Sequence, residues 1–217
     1  MSADSLSDYL HTQGLKLPHG DVQAARLWLE TVIRMAEAEI DRSVLWYADA
    51  AGALADRLPE NADNHTLLRA AYLALDALLS RYPATAAVYL LHPEHGLVRL
   101  AAQGLPLPAV FAPEQTEPLH PAVRSAQTGW LGLVDNIGLW RGWGDWPTGH
   151  DNGAQSCIAL PVYGEDGRVL GVLYAEHADT QAFDAERQSA WVGLAFALLP
   201  LLQQWHHTHP PTEEHHE

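Results

Sequence analysis

The sequence predicts an α+β fold, an antiparallel sheet flanked by helices, with an N-terminal helical extension. Residues 156–176 read as two apolar strands joined by Gly164-Glu165-Asp166-Gly167, a hairpin pattern. Residues 86–91 and 97–104 repeat that pattern around His92-Pro93-Glu94-His95-Gly96. Helical periodicity brackets both hairpins, over residues 64–81 before them and 191–202 after them. Hairpin-joined strands with helices on a face make an α+β domain.

In chain order, residues 1–20 carry no sustained periodicity and are expected to form a flexible leader. Residues 21–60 form the helical extension, with Asp21 as its expected N-cap. Val22, Ala25, Leu29, Val32 and Ala36 recur at heptad-like spacing, and Val44, Tyr47, Ala51, Leu54 and Leu58 follow after Ile40. One long helix or two stacked helices satisfy that pattern, ending at Leu58-Pro59. The apolar stripe suits a dimerising seam or packing on its own domain, and both stay open. The domain proper spans 61–205, and 206–217 is read as a disordered, His-rich tail.

Within the domain, Leu67, Leu68, Ala71, Leu75 and Leu78 share one helix face, and Tyr82-Pro83 stops that helix. A Pro-rich irregular stretch at 105–118 leads to a short helix over 120–128 that ends at Gly129. A strand over 130–134 and a long Gly/Trp loop over 135–153 precede the second hairpin. Gly171 inside its strand signals a bulge or a close backbone approach. Phe183-Asp184 leads into the final helix.

Composition narrows the function. At 217 residues and 47% hydrophobic, the chain supports one well-buried domain plus an extra element. A net charge of −15 repels phosphate backbones and anionic membrane surfaces, so no nucleic-acid or membrane partner is expected. The single cysteine, Cys157, rules out an intramolecular disulfide and a multi-thiolate metal site. Without an apolar run of about 20 residues or a secretory leader, a cytoplasmic location is expected.

Several segments together resemble a GAF domain, a small-molecule-sensing module of signalling proteins. They are residues 77–91, His120-Pro121-Ala122-Val123-Arg124-Ser125-Ala126-Gln127-Thr128-Gly129, Asp135-Asn136, residues 155–162 and Gly171-Val172-Leu173. The resemblance covers roughly residues 64–204 and implies a ligand pocket walled by the segment before the last hairpin. It also sets limits. Bilin-binding members attach the chromophore through a cysteine beside a histidine on a helix, whereas Cys157 precedes Ile158 on a strand. Members that reduce free methionine sulfoxide need a catalytic and a resolving cysteine, and this chain has one cysteine. The Asn-Lys-Phe-Asp-type signature of cyclic-nucleotide members is absent.

The ligand-binding candidates are Trp130, Asp135, Trp140, Arg141, Trp143, Trp146 and His150. Tryptophan supplies wide apolar area with one N–H donor, and the Arg141 guanidinium matches a carboxylate or oxyanion. The alternative is a loop that closes the domain's core or an oligomer interface. Asn136 reads as a turn-shaping residue, Cys157 as a small buried hydrophobe, and His120 and His150 as isolated imidazoles. The tail histidines, His206, His207, His209, His215 and His216, offer loose metal chelation at most, and no metal site is expected. No nucleophile elbow, phosphate-cradling loop or zinc-protease motif appears, so the chain is not expected to be an enzyme. The expected function is a stand-alone sensor that binds a small molecule of unnamed identity and signals to a separate protein, as a homodimer. The alternative is a dimerisation or interaction module with no ligand; thiol chemistry at Cys157 is the third class.

Overall fold

The computed structural model describes residues 3–35, 39–49, 52–112, 118–147 and 152–210. Along the chain come α1 (Ala3–Thr12), α2 (His19–Met35), the one-turn α3 (Arg42–Leu45), and a small ribbon of β1 (Ala48–Asp49) and β2 (Gly52–Ala53). A 3-10 turn (Leu54–Asp56) leads to α4 (Ala62–Arg81), β3 (Thr85–His92), β4 (Gly96–Gln103) and β5 (Val110–Phe111). Then follow α5 (Pro121–Thr128), β6 (Gly132–Val134), α6 (Ile137–Trp143), β7 (Ser156–Tyr163), β8 (Val169–His177) and α7 (Ala185–Thr208).

The main sheet has six strands in the order β5-β4-β3-β8-β7-β6, and every neighbouring pair is antiparallel. Strand alternation gives it two apolar faces. Val88, Leu90, Leu160, Leu173 and Ala175 face α2, α4 and α7, while Tyr89, Cys157, Ala159, Val172 and Tyr174 face α5 and α6. At the centre of the sheet, a Cβ on Gly171 would lie 2.4 Å from the Tyr89 carbonyl oxygen. The close approach expected at that glycine is there.

The residues expected to form a flexible leader contain α1, which packs on the helical face. Leu6, Tyr9 and Leu10 are buried, and Tyr9 meets Phe196 edge-on at 5.3 Å while its hydroxyl donates to the Pro161 carbonyl at 3.0 Å. Three apolar residues at i, i+3 and i+4 make too short a stripe to stand out in the sequence, yet all three join the core cluster that also contains residues of α7.

The extension is likewise not a long helix. Asp41 accepts hydrogen bonds from the Ser43 backbone N–H at 2.7 Å and its hydroxyl at 2.6 Å, starting the separate one-turn α3. Leu45, Leu54 and Leu58 are buried as expected for core positions, but from turns beneath α4. Full burial of each leucine contributes about 1.5–3 kcal/mol, enough to hold short irregular segments in place. Ala36 and Ala51, two positions of the apolar stripe, lie outside the described residues.

The first half of that stripe is covered within the chain. Leu29 is fully buried, and α2 crosses α7 so closely that a Cβ on Gly193 would lie 2.7 Å from the Ala25 Cβ. Of the two readings left open for the stripe, packing on its own domain is the one this half of it follows.

Boundaries of the domain helices follow their caps. Asn61 accepts from the Asn64 backbone N–H at 2.8 Å to start α4. His120 caps α5, and Gly129 ends it in the left-handed region at φ 69°. The long loop expected over 135–153 contains α6, capped by Asn136 at one end and by Gly144 at φ 79° at the other. Asn136 thus shapes local structure, as expected.

The tail reading fails for residues 206–209. Helix α7 runs on through Thr208 because His206 Nε2 bonds the Leu170 carbonyl at 2.9 Å and His209 stacks on the buried Trp205 at 4.4 Å. Residues 211–217, including His215 and His216, lie outside the described residues.

Candidate functional site

The sheet face under α5 carries a buried polar group of side chains that apolar periodicity does not explain. Tyr174 and Glu176 stand two apart on β8 and so point to the same face, and Cys157 on β7 is the cross-strand partner of Glu176. Glu176 is 1% exposed. Its Oε1 accepts from the Tyr174 hydroxyl at 2.5 Å, and its Oε2 accepts from Asn152 Nδ2. Asn152 is held in turn by the Ala154 backbone N–H, which donates to its Oδ1 at 3.2 Å. Tyr174 and Asn152 thus each donate to one oxygen of the Glu176 carboxyl group.

Above this pair lie His120 and Ser125 on the α5 side. The His120 ring sits 4.6 Å from Tyr174 and 4.4 Å from Phe111 by centroids, and its Nδ1 accepts from the Ala122 backbone N–H at 3.2 Å. Ser125 is buried, and its hydroxyl has no hydrogen-bond partner among the described residues. Burial drives Cys157 and Tyr174 toward their neutral forms. It pushes the Cys157 thiol well above its ordinary range, with the Glu176 carboxylate adding to the effect. It pushes the Tyr174 phenol well up for the same reason, with Cys157 and Glu176 adding.

The buried Glu176 lies beside an indentation of the surface. A groove of about 270 Å³ opens at the end of the sheet, lined by Thr85, Leu105, Asn152, Ala154, Glu176 and His177 among others. Asn152 and Glu176, hydrogen-bonded to each other, both border it.

The seven residues proposed from the sequence are distributed differently. Trp146 is buried in the cluster with Tyr174 and Cys157. Trp140 is half-buried, with the Arg124 guanidinium 5.7 Å from its ring. Trp130 and Trp140 line a cleft of only about 60 Å³ together with Asp145. Trp130 and Trp143 are 60% and 67% exposed, and Asp135 and Arg141 are exposed as well. His150 lies outside the described residues. The tryptophan segment is thus part core and part surface, and one cavity does not gather it.

Asn152, Tyr174 and Glu176 escaped the sequence reading. A signal was present: a glutamate inside an apolar strand, two residues from a tyrosine, marks a polar pair on one sheet face. Among the described residues, no group of three or more His, Cys, Asp or Glu side chains is arranged to hold a metal ion. Among them too, no helix is long and apolar enough to cross a membrane.

No protein-family model and no curated protein sequence matches the chain. Solved structures do. The GAF domain of an Acinetobacter phosphoenolpyruvate-protein phosphotransferase superposes with a TM-score of 0.57 at 14% identity, over 95% of this chain and 97% of that one. The fold is the GAF fold. A putative GAF sensor protein from Burkholderia vietnamiensis shares it at 17% identity and a TM-score of 0.53, covering 85% of this chain and 92% of its own. So does a type II free methionine-R-sulfoxide reductase from Thermoplasma acidophilum, at 17% identity and a TM-score of 0.55, over 65% of this chain and 96% of its own. That last likeness, repeated by further reductases of the same kind, overturns the expectation that the chain is not an enzyme. The GAF fold carries catalysis as well as sensing, and the lack of a familiar catalytic motif does not separate the two.

Proposed function

We propose that the chain is a GAF-fold sensor that holds a small molecule at Glu176 and passes its occupancy to a separate protein. The observation that carries this reading is an open groove bordered by a buried, hydrogen-bonded glutamate. A carboxyl group held by Tyr174 and Asn152 pairs best with a ligand group that brings N–H donors of its own, such as an ammonium or amidinium. The groove's 270 Å³ lies just below the usual range of ligand sites, which limits the occupant to a molecule of about amino-acid size.

Strand β8 supplies the route to the other face. It presents Glu176 to the groove while Leu173 and Ala175 lie in the core that also contains α7. Ligand binding shifts the packing of α7 only as far as the ligand prefers one arrangement over the other.

The test is isothermal titration with a panel of primary amines and amino acids, on the native chain and on Glu176→Gln. Binding weakened at least about tenfold by that substitution, the scale of one charge-assisted hydrogen bond, supports the reading. Equal binding by both proteins, or no binding of any amine, overturns it. A second reading, catalysis at Cys157, is favoured by the thiol's position opposite Glu176 and opposed by the burial that keeps it protonated. The panel therefore includes free methionine sulfoxide with a dithiol reductant. Turnover abolished by Cys157→Ser identifies an enzyme, and binding without turnover identifies a sensor.

A further inference from the structure

Four imidazoles gather where the last turn of α7 meets the β3–β4 turn, on the side of the molecule away from Glu176. His92 and His95 stack with centroids 4.5 Å apart and planes 23° apart. Trp205 lies 5.4 Å from His92, 5.0 Å from His206 and 4.4 Å from His209, stacking on the last. Trp205 is buried and fixed, since its Nε1 donates to Asn64 Oδ1 at 3.0 Å. His206 Nε2 bonds the Leu170 carbonyl, an acceptor only, so that nitrogen carries the proton.

The decisive atom is Nδ1 of His92. It accepts from the Glu94 backbone N–H at 3.1 Å, across the turn that places His95. An imidazole nitrogen that accepts a hydrogen bond carries no proton, so His92 is neutral with its proton on Nε2. Protonating His92 means protonating Nδ1, and the turn bond is then lost. The same proton adds positive charge beside three other imidazoles.

We propose that His92 is a proton-operated latch between the β3–β4 turn and the end of α7. Protonation at Nδ1 breaks the Glu94 hydrogen bond, disrupts the stack with His95 and loosens Trp205 with the final turn of α7. This inference stands apart from the ligand reading, because none of its residues lines the Glu176 groove.

The surrounding charges set the direction. From the turn come His95, which opposes a charge on His92, and the Glu94 carboxylate, which favours it. From α7 come His206 and His209, both opposing it. From the β7–β8 turn, Arg168 and Asp166 act on His206 with opposite signs. From α4, Asp63 shares a small cleft with Trp205. Burial and the neighbouring imidazoles together push His92 down to about 4 from the ordinary 6.5. Its neutral form therefore contributes stability that is fully present above pH 6.5 and lost as pH falls through 4.

Hydrogen exchange resolved by NMR tests the latch on the native chain and on His92→Asn, whose Oδ1 accepts the Glu94 N–H and takes no proton. In the native chain, protection at the Glu94 amide and the Trp205 indole falls at least about tenfold between pH 6.5 and 4, the effect of one pKa unit of linkage. In His92→Asn it holds through that window. Equal loss in both chains, or no loss in the native one, overturns the latch. The ring ¹⁵N shifts of His92 in the native chain supply a check that needs no variant. Nδ1 must be unprotonated at pH 7 and titrate together with the Glu94 amide, and a ring that titrates while that amide stays protected also overturns it.

Discussion

Replacing Gly171 by alanine probes the tightest contact of the sheet. The added Cβ lies 2.4 Å from the Tyr89 carbonyl oxygen and 3.4 Å from its carbon, both backbone atoms of the neighbouring strand. Neither can rotate away, so β3 and β8 must separate. Overpacking costs about 1–3 kcal/mol, and against backbone atoms the upper part of that range applies, about 2–3 kcal/mol. Relieving the glycine's conformational entropy returns about 0.5–1 kcal/mol, leaving a net loss of about 1–2.5 kcal/mol. For a chain of this length that lowers Tm by about 2–10 °C, read by circular dichroism. Gly142→Ala is the matched control: it sits in α6 with nothing within 4 Å of its new Cβ and gains up to about 1 kcal/mol. An unchanged or raised Tm for Gly171→Ala would refute the reasoning, because the strands would then have room that the register denies.

Two further predictions separate structural roles. Gln13→Ala removes a buried side chain that donates to the Gly129 carbonyl at 3.0 Å and accepts from the Leu131 backbone N–H at 2.5 Å. Stranding those groups costs about 1–3 kcal/mol, seen as a lower urea midpoint with an unchanged m-value. Trp146→Ala empties a core position and costs about 3–5 kcal/mol, whereas the exposed Trp143→Ala changes stability by at most about 0.5 kcal/mol. Comparable losses for the two, by urea denaturation, would contradict the division of the tryptophan segment into core and surface.

What the sequence made legible follows from how far each signal reaches. Gly171, Gly129 and the two hairpins are local patterns, and each stands where its pattern places it. Tyr9 meets Phe196 and Pro161, both more than 150 residues away, so no local window contains the reason for its burial. The heptad-like run from Val22 was visible as apolar periodicity, but periodicity does not name the surface it packs on. The candidate site divides the same way. Tryptophans attract notice by their rarity, yet Trp146 fills core and Trp143 faces solvent. Glu176 was hidden because its meaning depends on Asn152, which arrives from a different loop, and on a strand register that places Cys157 opposite.

Cys157 gives this fold its own chemical clock. It is the chain's one cysteine and is fully buried on the face shared by Tyr174 and Trp146. A thiol reagent reaches it only when that face opens, and the protonated thiol does not react until it does. The rate at which a single label enters the intact chain therefore counts openings of the candidate site directly, with no engineered probe. A molecule that settles against Glu176 announces itself by slowing the count.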